Sequence, residues 1–210
     1  MEKRGESAAS GLRAFGMNCT LKRGPETSST QKILDQVLQD LHSFGVDISD
    51  TRVVDHDVRP GVKTDEGDGD AWPALRRKVL DANILVLATP IWMGQPSSVA
   101  KRVLERMDAF LGEIDEQGRY PTFGRVAVVA VVGNEDGAHH VTAELYQALA
   151  DVGFTIPGGS SAYWVGEAMG SVNYVDLEKT PPKLADTIRT LACNAAHLAG
   201  LLKQHPYPAP

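Results

Sequence analysis

Residues 83–94 read NILVLATPIWMG, and their pattern decides the fold. The run Ile84–Ala88 is unbroken apolar, β-branched at Ile84 and Val86, and too short for a stable isolated helix. Such a run specifies a strand covered on both faces, as in a parallel sheet layered between helices. The chain then turns through Thr89-Pro90, and Trp92 and Met93 stand where a turn ordinarily places polar residues. A central parallel strand that delivers large apolar side chains to its carboxyl end is where an open α/β sheet forms a ligand crevice. The alternative at this point is a βα turn whose Trp92 tucks into the core.

Strand and helix patterns alternate on both sides of this stretch. Upstream, Leu12–Met17 reads as a first strand, followed by the hydroxyl-rich loop 18–30, NCTLKRGPETSST. Ser28 and Gln31 have capping-box spacing. Ile33, Val37 and Leu41, beside Leu34 and Leu38, form the apolar stripe of a helix that Gly45 stops. A second strand is expected over Arg52–Val58 and a short helix over Asp70–Leu80. Downstream, Ser97–Leu111 reads as a helix with Val99, Val103, Met107 and Phe110 inward and Lys101, Arg102 and Arg106 toward water. Residues 114–123 form a turn-rich connector. Arg125–Val132 is a second fully apolar strand, ending in Gly133-Asn134-Glu135-Asp136-Gly137, and a helix is expected from Ala138 to Val152. Phe154–Ile156 reads as a fifth strand, 157–170 as irregular, and the chain closes with a helix from Pro181-Pro182 to Leu202.

Five alternations of this kind specify a doubly wound parallel sheet. In the strand order 2-1-3-4-5 the first, third and fourth strands are neighbours, so loops 18–30, 89–96 and 133–140 converge at the switch point. The first loop suits a phosphate, because free N–H groups and the helix dipole at a helix start both favour an anion. It is neither a Walker loop nor a GxGxxG turn. The competing reading is that Ser28, Ser29 and Thr30 merely cap the helix. The other two loops offer apolar, aromatic and glycine backbone suited to a flat ring.

Composition narrows the function classes. The chain has 210 residues, is 42% hydrophobic and 23% charged, and carries a net charge of −6, without the basic footprint of a nucleic-acid binder. No apolar run approaches the ~20 residues of a transmembrane helix, and a cytoplasmic location without membrane insertion is expected. Cys19 and Cys193 are far apart and suggest neither a metal site nor an iron–sulfur site. Asp55-His56-Asp57 on a strand would alternate faces, which argues against a metal cluster. Thr64–Asp70 lacks the order of a calcium loop. Residues 157–170 approach a nucleophile elbow without its last glycine or a histidine–acid partnership, which argues against a hydrolase. The expected organisation is a tail over 1–10, one domain over 11–204 and a second tail over 205–210.

With these residues in view, the chain resembles the NADPH-dependent FMN reductase family of flavodoxin-like, quinone-reductase-like flavoproteins. Residues 88–108, ATPIWMGQPSSVAKRVLERMD, are similar to that family's TPIYxGxxSxxxKxxxDR signature, and 18–34 are similar to its phosphate loop. The resemblance implies a three-layer sandwich with a five-stranded sheet. It implies FMN as cofactor, with the phosphate on Thr20, Ser28, Ser29 and Thr30 and with Asn18 and Lys22 nearby. Pro90, Ile91, Trp92, Met93 and Gly94 would pack against the isoalloxazine, and Gly133, Asn134 and Gly137 would border it. NAD(P)H is implied as co-substrate, a quinone, free flavin or other small molecule as electron acceptor, and a homodimer or homotetramer as assembly. Cys19-Thr20 departs from the Gly-Ser of many relatives. No side-chain acid–base pair is expected, since the flavin carries the hydride chemistry. The alternative function is a non-enzymatic FMN-binding electron carrier or flavin-sensing module.

Overall fold

The computed structural model describes residues 11–208, so the expected tail over 1–10 lies outside the described residues. The elements are β1 (Arg13–Asn18), α1 (Ser29–Ser43), β2 (Asp47–Arg52), α2 (Trp72–Asp81), β3 (Ile84–Trp92), β4 (Gln95–Pro96), α3 (Ser98–Met107), β5 (Val126–Gly133), α4 (Ala138–Asp151), β6 (Ser161–Val165) and α5 (Pro182–Gln204). The parallel strands lie in the order β2-β1-β3-β5-β6, and β4 pairs antiparallel with the end of β3. Counting only the parallel strands, this is the expected 2-1-3-4-5.

Alternation along the two central strands builds both cores at once. Ile84, Val86 and Ala88 of β3 pack with Val128 and Ala130 of β5 under α1 and α5. Leu85, Leu87, Val129 and Val131 face α2, α3 and α4 on the other side. All of these side chains are essentially inaccessible. Burying each of the larger ones is worth about 1.5–3 kcal/mol, which is why an apolar run without polar breaks is stable here.

Four local expectations are corrected. The second strand is Asp47–Arg52, not Arg52–Val58, where a 3-10 turn at Val53–Asp55 and a loop stand instead. Being an edge strand, β2 is polar and mostly exposed, and its pairing from Arg13↔Asp47 to Asn18↔Arg52 leaves no apolar alternation to read. The fifth strand is Ser161–Val165, whereas 154–156 makes only a bridge between Thr155 and Val126. The ladder resumes beyond the Pro157-Gly158-Gly159 turn, inside the stretch expected to be irregular. The third helix stops at Met107 and tightens into a 3-10 turn over Asp108–Gly112. Finally, Arg106 does not face water: it is fully buried and paired with Asp70 at 2.8 Å. It lies three residues after Val103 and four before Phe110, which puts it on the apolar stripe itself.

A hairpin also appears that the pattern did not suggest. Trp92 pairs with Gln95 across a two-residue turn, Met93-Gly94, with φ of 53° and 75°. Positive φ at both central positions matches the twist of a tight hairpin, so Met93's backbone is a requirement of the turn.

Candidate functional site

The carboxyl ends of β1, β3 and β5 open on one crevice, lined by Thr20–Lys22, Ser28–Thr30, Pro90–Trp92, Val132–Asn134, Trp164 and Asn173–Val175. A second hollow, around Tyr120, Phe123 and Tyr207, lies near the start of β5. The Arg125 guanidinium beside it is already engaged by the carbonyls of Leu80 and Pro121.

The loop after β1 is held from behind. Cys19 N–H donates to Ala88 O at 2.8 Å, and Ser97 Oγ donates to Cys19 O at 2.6 Å. Asn18 is wholly buried, accepting from Thr20 N–H at 3.0 Å and donating to Gln31 Oε1 at 2.7 Å. Asn18 therefore braces the loop and is not brought to the crevice surface. Gly24 N–H donates to Asp55 at 3.0 Å and Lys22 Nζ to Thr27 O at 3.1 Å. Burial pushes the Cys19 thiol well above its ordinary range, so this cysteine packs and stays protonated.

The front of the loop keeps donors available. Thr20, Ser28 and Ser29 each accept a backbone N–H, from Lys22, Gln31 and Val175 respectively, which leaves each hydroxyl proton unassigned. Thr30 is 2% exposed, lines the crevice, and its hydroxyl has no hydrogen-bond partner among the described residues. The N–H groups of Ser29 and Thr30 are first-turn donors without an intrahelical acceptor. Four hydroxyls and a helix start converging on one end of a crevice fit a phosphate group.

The other end is apolar and tight. Pro90, Ile91 and Trp92 form one wall, with Gly133 and Asn134 beside them. A Cβ at Gly133 would lie 3.0 Å from Ile91 Cβ. At Gly137 (φ 121°) a Cβ would lie 2.7 Å from Gly94 Cα, so these two loops touch backbone to backbone. Met93 N–H donates to Glu135 Oε1 at 2.7 Å and completes the clamp. Gly94 and Gly137 thus shape the rim without lining the crevice, and Met93 points past it, 89% exposed. Trp92 is 54% exposed on the rim, which removes the core reading of that residue.

Several lining residues were not anticipated: Leu21, Val132, Trp164, Asn173, Tyr174 and Val175. Trp164 packs on Tyr174 with ring centroids 5.3 Å apart. Placing β6 correctly would have found Trp164, since alternation then turns it to the α1/α5 side. Asn173 and Asp176 form a capping box that is visible as Asn-x-x-Asp spacing.

The profile of the NADPH-dependent FMN reductases matches residues 13–169. The chain belongs to that family. It is 33% identical over 209 residues to 8-demethyl-8-aminoriboflavin-5'-phosphate synthase of Streptomyces davaonensis, covering 93% of this chain and 80% of that one. The crystal structure of RosB with a bound 8-demethyl-8-formylriboflavin-5'-phosphate intermediate superposes with a TM-score of 0.86 at 32% identity, over 93% of this chain and 82% of that chain. A divalent metal cation transporter, MntH of Mycobacterium bovis, is 40% identical over 200 residues, 92% of this chain but only 29% of the transporter's length. No helix among the described residues is long and apolar enough to cross a membrane. The fold is flavodoxin-like, and the family is one of flavin-dependent, oxidoreductase-type enzymes.

Proposed function

We propose that the chain is an FMN-dependent NAD(P)H oxidoreductase that passes electrons through bound FMN to a quinone, free flavin or other small acceptor. One observation carries this reading: a hydroxyl and helix-start cradle and an apolar, tryptophan-rimmed slot occupy the two ends of a single crevice. In this reading Thr20, Ser28, Ser29 and Thr30 hold the phosphate, with Lys22 at the mouth. Pro90, Ile91 and Trp92 form one wall for the ring, and Gly133 and Asn134 supply backbone close to it. Bound FMN supplies hydride acceptance and electron release. The chain's own residues bind, orient and partly desolvate it, and the exposed faces of Trp92 and Met93 leave room for a second planar molecule. The test is anaerobic: purified protein loaded with FMN should bleach on adding NADH or NADPH and regain colour on adding a quinone. Reduction without catalytic turnover of any small acceptor would favour the electron-carrier reading instead.

The extent of similarity to the aminoriboflavin phosphate synthase supports a second reading, in which FMN is itself the substrate. Chromatography of the flavin after turnover separates the two. Recovery of unchanged FMN fits a cofactor; a flavin altered at the 8-position fits a substrate.

A further inference from the structure

Lys32 sits one turn into α1, near the phosphate end of the crevice, where a positive charge invites reading as an anion ligand. Its ammonium is engaged elsewhere. Nζ donates to the carbonyls of Tyr174, Val175 and Leu177 at 3.1, 3.3 and 2.6 Å. Those are all the donors an ammonium has. The same Nζ lies 5.1 Å from the centroid of the Tyr174 ring. Two more side chains of α1 hold the same segment. Ser29 Oγ accepts from Val175 N–H at 3.1 Å. Gln36 accepts from the Tyr174 hydroxyl and donates to Thr180 Oγ1 at 2.6 Å. Ser29, Lys32 and Gln36 follow one another at helical spacing along one stripe of α1.

The consequence is a bar across the crevice. Asn173, Tyr174 and Val175 line it on the inside. Ser28 and Val175 also border an outer groove that runs past Glu26, Gln31, Asp35 and Arg52. The contact of Ser28-Ser29 with Val175 therefore separates crevice from groove. A ligand whose phosphate is terminal ends against this bar. A dinucleotide that carries its second phosphate and adenosine on into the outer groove passes through it, which means breaking the bond from Val175 to Ser29 and lifting a segment that Lys32 ties at three carbonyls.

We infer that the 173–177 segment is a length gate that makes the crevice accept flavin monophosphates and reject flavin dinucleotides, with Lys32 as its positioning residue. The inference rests on the flavin site proposed above. It is tested by titrating apoprotein with FMN, riboflavin and FAD, for the wild type, Lys32→Met and Gln36→Leu. The wild type should prefer FMN over FAD by about a hundredfold or more. Lys32→Met should narrow that ratio by about tenfold, the scale of one lost charge-assisted hydrogen bond, while FMN and riboflavin weaken by similar factors. Gln36→Leu, which loosens the same segment from outside the crevice, should move the ratio in the same direction and keeps the test usable if Lys32→Met fails to fold. An unchanged FMN-to-FAD ratio in the variants overturns the gate. Loss of FMN binding alone, with riboflavin unaffected, overturns it too, because Lys32 would then act as a phosphate charge. A wild type that binds none of the three flavins removes the site reading itself, whereas tight FMN binding without a change of ratio removes only the gate.

Discussion

The loop after β1 and the loop after β2 leave neighbouring strands and are similarly hydrophilic, yet they dispose their polar atoms in opposite ways. Between Thr20 and Thr30 the chain is braced from behind by Asn18, Ser97 and Asp55, and its hydroxyls face an open crevice. Between Arg59 and Asp70 several backbone N–H and carbonyl groups turn inward onto two side chains, although residues 62–65 and 67–69 are exposed. Asp70 accepts the N–H groups of Arg59, Glu66 and Trp72, and Arg106 donates to the carbonyls of Arg59 and Lys63 at 2.9 and 2.8 Å while pairing with Asp70. Composition alone does not distinguish a loop that leaves its hydroxyls open from one that binds its polar atoms internally. The difference lies in whether the buried partner is supplied by the chain, and in the second loop it is one arginine on a helix stripe.

The largest expected effect comes from removing that partner. Arg106→Met leaves Asp70 buried without its counter-charge, and breaking such a pair costs about 3–5 kcal/mol. Urea denaturation of the apoprotein should show this loss, while FMN affinity of the folded fraction stays at the wild-type value. A loss below ~1 kcal/mol would mean that the 59–70 loop holds itself.

The same ion pair should respond to acid. Burial alone would raise the Asp70 pKa, but the N–H groups of Glu66, Trp72 and Arg59 and then the Arg106 guanidinium outweigh it and hold the carboxyl below its usual range. A carboxylate with a depressed folded pKa contributes stability that is present above its unfolded value, about 3.9, and lost as pH falls through the folded one. Wild-type stability should therefore decline below about pH 4, with a component missing from Asp70→Asn. Parallel profiles for the two proteins would assign the decline to other carboxylates.

The loop proposed to hold the phosphate should show the opposite behaviour, with ligand affinity falling and stability holding. Each lost hydroxyl that bonds a charged phosphate costs about 1.5–3 kcal/mol, or roughly tenfold to a hundredfold in affinity. Ser29→Ala combined with Thr30→Ala should purify largely colourless and remain folded. Titration with FMN and riboflavin is the check: only FMN should weaken strongly. Full FMN affinity in the double variant would reduce those hydroxyls to caps.

What was legible in advance follows the same division. The two strands that read clearly, β3 and β5, are covered on both faces, so burial writes itself into an unbroken apolar run. The edge strands did not read: β2 is held by backbone pairing under exposed polar residues, and β6 lies beyond a glycine turn in a stretch of small residues. Arg106 was misread because an arginine on an apolar stripe looks like an irregularity until Asp70 is brought to it from 36 residues upstream. Of the crevice, the strand-end loops were visible because their residues are consecutive. Its far wall was not, because Trp164 and Asn173–Val175 reach it only after β6 and the Lys32-held segment are in place.

The smallest effect, and the sharpest on the ring end of the crevice, concerns Trp92. It follows Pro90 on β3, pairs with Gln95 in the hairpin, and leaves more than half of its surface open at the rim. Truncating a tryptophan that belonged to the core would cost roughly 3–5 kcal/mol of fold stability. At its observed exposure, Trp92→Ala should instead leave apoprotein stability within about 0.5 kcal/mol of wild type. If the indole contacts a bound ring, the lost aromatic contact is worth about 0.5–1.5 kcal/mol beyond area burial. FMN should then weaken by no more than a few tens of fold, riboflavin should weaken by the same factor, and Trp92→Phe should recover most of both. Equal loss for FMN and riboflavin is the signature that separates this end of the crevice from the proposed phosphate loop, where the two ligands should diverge. Unchanged affinity for both, with stability also unchanged, would leave Trp92 free to contact the second molecule rather than the flavin, and steady-state KM for the acceptor would then carry the effect.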